Sequence, residues 1–88
     1  MPRIVLRRTH DLLANLTTWE QTIIEEQLRA LMAELALKPR QLFGTVRVAL
    51  SGRKATPPLF PMIEILQRQR TLNRLERALI SHHGQQSP

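Results

Sequence analysis

The sequence contains no cysteine. That removes disulfide staples, thiol nucleophiles and cysteine-ligated zinc, and it fits a reducing compartment. Tyrosine is also absent, and the aromatics are Trp19, Phe43 and Phe60 alone. A platform on which several bases stack is therefore not available. Gly44 and Gly52 are isolated and form no phosphate-cradling loop. No apolar run approaches the roughly 20 residues that a membrane-crossing helix needs. The start, Met1 to Arg8, has cations but no apolar stretch of signal-peptide length. The expectation is a cytoplasmic protein with no membrane contact. At 88 residues and 10.2 kDa the chain is one small domain spanning 1–88. That size excludes a nucleotide-binding α/β domain with a second substrate domain, and any β/α barrel.

Acidic residues are few: seven against thirteen Lys and Arg, for a net charge of +6. The excess is uneven. Met1 to Leu37 is close to neutral. Between Lys38 and Arg77, nine cations face only Glu64 and Glu76. A basic half beside a near-neutral half is the electrostatic footprint of a polyanion binder, or simply a solubilising surface.

The hydrophobic pattern is helical. Thr17 and Glu20 have capping-box spacing, which predicts a helix from Thr17 to about Leu37. Trp19, Ile23, Ile24, Leu28, Leu31, Met32 and Leu35 form its stripe, and Pro39 stops it. Leu42 to Leu50 reads two ways. Val46, Val48 and Leu50 alternate as in a strand, whereas Leu42, Phe43, Val46, Ala49 and Leu50 mark one helical face. Pro39 suits a helix start and Ser51-Gly52 a stop, so a helix is expected. Thr56 with Pro57 or Pro58 opens a further helix carrying Leu59, Met62, Ile63 and Leu66. Pro61 moves its effective start toward Leu59. Thr71 is expected to cap a last helix with Leu72, Leu75, Ala78 and Leu79 on one face, and Arg70, Arg74 and Arg77 on the other. Leu12, Leu13 and Leu16 suggest an early helix ending near Asn15, and Met1 to Arg8 is unassigned. The expected fold is all-α, a small bundle of about four to five helices over about 12–80, with a poorly ordered tail at 81–88.

No catalytic constellation is visible. His10 lacks a partner at metal spacing, and His82-His83 is a dipeptide in the tail. Ser51 and Lys54 lack a nucleophile elbow. No enzyme activity, metal or cofactor is expected. The segment from Arg47 to Phe60 is richer. Arg53 and Lys54 lie on a loop just before a helix start, where loop cations and free amides together bind anions. Leu59 and Phe60 put apolar surface beside those charges. Cations for phosphates plus flat apolar contacts for splayed bases suit single-stranded RNA loops. Each of these residues has a plainer use, Arg47 as a snorkelling surface residue and Leu59 and Phe60 as core.

Three blocks carry a resemblance: Val46-Arg47-Val48-Ala49-Leu50-Ser51-Gly52-Arg53, then Thr56-Pro57-Pro58-Leu59-Phe60, then Arg70-Thr71-Leu72-Asn73-Arg74-Leu75-Glu76-Arg77-Ala78-Leu79. In order and spacing they resemble the C-terminal anticodon-binding subdomain of bacterial-type glutamyl-tRNA synthetase, over about Leu12 to Leu79. The resemblance implies an all-α, cage-like helical module that packs on an anticodon loop. It implies that Arg47 contacts an anticodon base. Thr56, Pro57, Leu59 and Phe60 match the segment that holds the first base, and Arg53 lies in the neighbouring loop.

This sequence departs from the family pattern at Gln67, where the family has glycine after its third helix, and at Pro61, where it has an acidic or polar residue. The H-I-G-H-type and K-M-S-K-S-type motifs of a synthetase core are missing, so the chain cannot aminoacylate tRNA by itself. Two rival readings remain: an adaptor docking on a synthetase or another protein, and a paralogue turned to general nucleic-acid binding.

Overall fold

The computed structural model describes residues 2–52 and 58–84. Four helices account for nearly all of them, and the described residues contain no strand: α1 (Pro2–Ala14), α2 (Gln21–Glu34), α3 (Pro39–Ser51) and α4 (Leu59–Gly84). The all-α expectation holds. Several boundaries differ, each for a local reason.

Helix α1 begins at Pro2 and takes in the stretch that periodicity left unassigned. Its buried side is Val5, Leu6, Thr9 and Leu13. A threonine sits in the middle of that stripe, which masks the helical pattern in the sequence.

Helix α2 starts at Gln21, four residues later than expected, and the Thr17–Glu20 capping box does not form. Glu20 occupies the N-cap with no side-chain cap bond. The amide of Gln21 instead donates to Glu64 Oε2 at 3.2 Å, so an acid from α4 serves an amide that has no intrahelical acceptor. Trp19 lies in the loop, half-buried, and its Nε1 donates to the Ile63 carbonyl at 3.2 Å. That bond belongs to α4, not to a continuing helix. At its C-terminus α2 closes with Ala36 at φ 56°. Leu37 N donates to Met32 O at 3.0 Å and Ala36 N to Ala33 O at 3.1 Å. This is the paired-bond ending usually built on glycine.

Helix α3 settles the strand-or-helix question by burial. Val46 and Leu50 are buried, while Val48 is 41% exposed. A strand would put all three on one face; a helix separates Val48 from the other two. Pro39 takes the first position, Gln41 Oε1 accepts from Lys38 N at 2.8 Å, and Gly52 ends the helix at φ 78°.

The run α4 holds the two helices that were expected, joined without a loop at a kink on Gln67 rather than separated at Thr71. Pro61 falls in its first turn, where the missing N–H has no intrahelical acceptor to lose. Thr71 caps nothing; it is fully buried within the helix. The helix bends at Gln67, which holds φ 64°, ψ 175°. The glycine-like backbone of the family pattern is thus present without the glycine. The run also continues through 81–84, which were expected to belong to the tail.

The core is aliphatic and drawn from every helix. Val5, Leu6 and Leu13 meet Ile24, Leu28 and Leu31 from α2, Leu42, Val46 and Leu50 from α3, and Leu59, Ile63, Leu66 and Leu75 from α4. Helices α1 and α4 run antiparallel, since His10 pairs with Glu76 while Leu16 pairs with Arg68. The Arg8–Glu34 ion pair joins α1 to α2. Truncating any one of the buried leucines to alanine is expected to cost about 2–5 kcal/mol, a large share of what a domain this small possesses.

Candidate nucleic-acid interface

The basic half of the sequence folds around the α3–α4 connection. Buried Val46 and Leu50 hold α3 against the core. Arg47, between them in sequence, is half-buried, and its Nε is enclosed without an acceptor among the described residues. The planar fork of a guanidinium suits a base edge.

One turn before Arg47, Phe43 packs edge-to-face against Phe60 from the first turn of α4. Their centroids are 5.3 Å apart and their planes 82° apart. Both rings are half-buried. The Arg29 guanidinium lies 5.6 Å from the Phe43 centroid and is also bonded to Glu25. Two of the three aromatics, a cation and the start of α4 thus converge from three helices. Leu59 goes the other way. It is 2% exposed and belongs to the core, so it anchors the first turn of α4 and shows a ligand almost no side-chain surface.

Arg53, Lys54, Thr56 and Pro57 lie outside the described residues. Their flanks are placed: Gly52 closes α3, and Pro58 leads into α4 with its carbonyl accepting from Met62. Arg74 reaches from α4 to the Leu50 carbonyl at 2.7 Å, and so stands at the C-terminal end of α3.

Sequence reasoning missed Arg29, Phe43 and Arg74 as members of this region. Arg29 carried one signal, its four-residue spacing from Glu25. The pairing of Phe43 with Phe60 spans two helices and carries none.

Among the described residues no group of three His, Cys, Asp or Glu could hold a metal ion, and no helix is long and apolar enough to cross a membrane. The side chains of His82 and His83 fall outside what is described. A shallow groove between α1 and α2 contains none of the predicted site residues, and its charges Arg8 and Glu34 already pair with each other.

Comparison with known proteins decides the family. The pattern described as an anticodon binding domain matches residues 2–79. The chain belongs to the anticodon-binding domain family.

Glutamate–tRNA ligases carry its relatives. That of Roseiflexus castenholzii is 50% identical over 74 residues, 84% of this chain and 15% of the ligase. Those of Nocardioides sp. and Chloroflexus aurantiacus are 45% identical over 78 residues and 43% over 75. The chain therefore spans about 15% of the length of the relatives it matches. In this anticodon-binding domain the match takes in α1, α2, α3 and most of α4, which are the elements that place Arg47, Phe43 and Phe60.

Proposed function

We propose that this domain binds the anticodon loop of a tRNA and contributes recognition, with no catalytic step of its own. The reading rests on the family match over residues 2–79. Glutamate–tRNA ligase relatives make a glutamate tRNA the first substrate to try. The sequence carries neither synthetase core motif, so aminoacylation would need a catalytic domain beyond these residues. Cytoplasmic residence goes with that role.

Within the site the roles divide by geometry. Arg47, half-buried on α3 with its Nε enclosed, meets a base edge through the outer end of its guanidinium. Phe60, backed by Phe43, offers its remaining ring surface to an unstacked base. Leu59 anchors the turn that presents Phe60. Arg53 and Lys54 meet phosphates, and Thr56 and Pro57 shape the backbone between them. The charge excess from Lys38 to Arg77 draws the polyanion in.

The test is titration of anticodon stem-loop RNAs that differ only in the anticodon. Arg47→Ala is expected to cost on the order of 1–3 kcal/mol, selectively for loops with a glutamate anticodon. Arg53→Ala and Lys54→Ala weaken all loops alike and flatten the salt dependence. If Arg47→Ala folds normally and binds every loop as the parent does, the assignment of base reading to Arg47 is wrong. Binding that is insensitive to salt, or that needs a protein partner, points to the adaptor instead.

A further inference from the structure

The second half of α4 carries charge beyond Arg47, Arg53 and Lys54, and one of its arginines, Arg74, borders the candidate site. Arg70, Arg74 and Arg77 are all exposed, at steps of four and three residues, along a line turned away from buried Thr71 and Leu75. Such spacing stacks three guanidinium groups along one line, about 10 Å from first to last.

Three arginines of α1 and α2 have acidic partners. Arg7 lies near Asp11, Arg8 pairs with Glu34 and Arg29 pairs with Glu25. The remaining arginine of this helix, Arg68, turns inward to the Leu16 carbonyl and the Trp19 ring. Arg70 and Arg77 have no acidic partner among the described residues. The acid that could neutralise them, Glu76, is turned toward α1, where its Oε2 lies 2.8 Å from His10 Nε2.

The line is also continuous with the candidate site. Arg74 donates to the Leu50 carbonyl, three residues beyond Arg47 on α3. Beside the arginines, the Gln69 amide donates to Asn73 Oδ1 at 3.0 Å, so the neighbouring surface is polar. Ile80, one turn past Arg77, is exposed but stands alone, so the charged line with amide groups beside it has no apolar centre of the size a protein interface needs and matches a phosphodiester backbone.

We propose that Arg70, Arg74 and Arg77 form a second RNA-binding surface, which grips the sugar–phosphate backbone flanking the anticodon loop. This rests on the RNA-binding reading above and extends it. In the anticodon site Arg47 and Phe60 read bases while Arg53 and Lys54 meet phosphates. The arginine line supplies affinity without sequence information.

The test uses Arg70→Gln/Arg77→Gln, with Arg70→Lys/Arg77→Lys as its charge-keeping counterpart. Arg74 is left alone because it also caps α3. The probes are two labelled stem-loop RNAs, one with a glutamate anticodon and one with an altered anticodon, titrated between about 50 and 200 mM salt. The glutamine pair is expected to lower affinity by the same factor for both RNAs. It should also flatten the slope of log affinity against log salt by about 1.5 to 2. The lysine pair keeps the parent's slope. Circular dichroism confirms that each variant is folded. If the parent tells the two RNAs apart while the glutamine pair matches it in affinity and slope, the arginine line is not an RNA surface and the anticodon site stands. A loss confined to one RNA makes these residues base readers and overturns the proposal. If the parent binds neither RNA, both readings fall.

Discussion

The guanidinium of Arg68 lies 5.5 Å from the centre of the Trp19 ring, and it also donates to the Leu16 carbonyl. The same indole donates its Nε1–H to Ile63. Ile63 precedes the Gln67 bend and Arg68 follows it. The loop between α1 and α2 thus grips α4 on both sides of its bend. Phe60, at the start of α4, stands one turn before Ile63, so the grip also fixes where the candidate site begins.

Replacing Trp19 with phenylalanine keeps an aromatic surface and removes the hydrogen bond. The expected loss is about 1–2 kcal/mol, from that bond and the weaker cation–π contact. Urea unfolding measures it. A variant as stable as the parent would show that the grip contributes nothing.

Two substitutions decide what caps α2. Glu64→Ala removes the acceptor for Gln21 N and is expected to cost about 0.5–1 kcal/mol, despite lying some forty residues away in the chain. Glu64→Gln keeps an acceptor and costs less. Thr17→Ala is expected to be close to neutral. Should Thr17→Ala prove the more damaging, the local capping box forms in solution after all.

Gln67 and Ala36 both hold positive φ. At ψ 175° Gln67 lies in a region that only glycine occupies with ease, at a strain of about 1–3 kcal/mol. Ala36 is in the milder left-handed helical region. Glycine relieves the strain but gives the unfolded chain more freedom, by about 0.5–1 kcal/mol. Gln67→Gly is expected to gain about 1 kcal/mol net, and Ala36→Gly less. The order of the two melting temperatures is the readout, and the reverse order contradicts it.

Thr9 and Thr71 are fully buried, and neither hydroxyl has a hydrogen-bond partner among the described residues. Valine has the same branched shape without the polar atom. Thr9→Val and Thr71→Val are each expected to stabilise by about 1 kcal/mol. That raises the melting temperature by about 4–8 °C. A drop on either substitution would mean that the hydroxyl is satisfied after all.

Much of the fold is legible in the sequence because its helices are amphipathic. The stripe of α2, the Pro39 start, the Gly52 stop and the helical choice for Leu42 to Leu50 all follow from periodicity and backbone chemistry. What stays hidden is tertiary. Thr17 and Glu20 have the spacing of a cap, but Glu64 and Trp19 redirect the chain there. Thr71 looks like a helix start because threonine so often is one, and nothing local says that it will be buried. Gln67 shows no sign of positive φ in its own side chain; only the glycine of the family pattern at that place points to it. At the site, Arg47 and Phe60 stand out by type and neighbourhood. The Phe43–Phe60 pair and the reach of Arg74 to Leu50 join residues with no regular spacing between them.

The pairing of α1 with α4 sets a timetable for synthesis. His10 and its partner Glu76 are 66 residues apart, and α1 packs more against that last helix than against either of the others. At about 5–20 residues per second, α1 leaves the ribosome roughly 3–13 s before the residues that cover it. Through that interval Val5, Leu6 and Leu13 have only α2 and α3 to meet. Part of the core therefore stays open to chaperones and proteases until the basic helix emerges, and the domain completes its core and its arginine line in the same step.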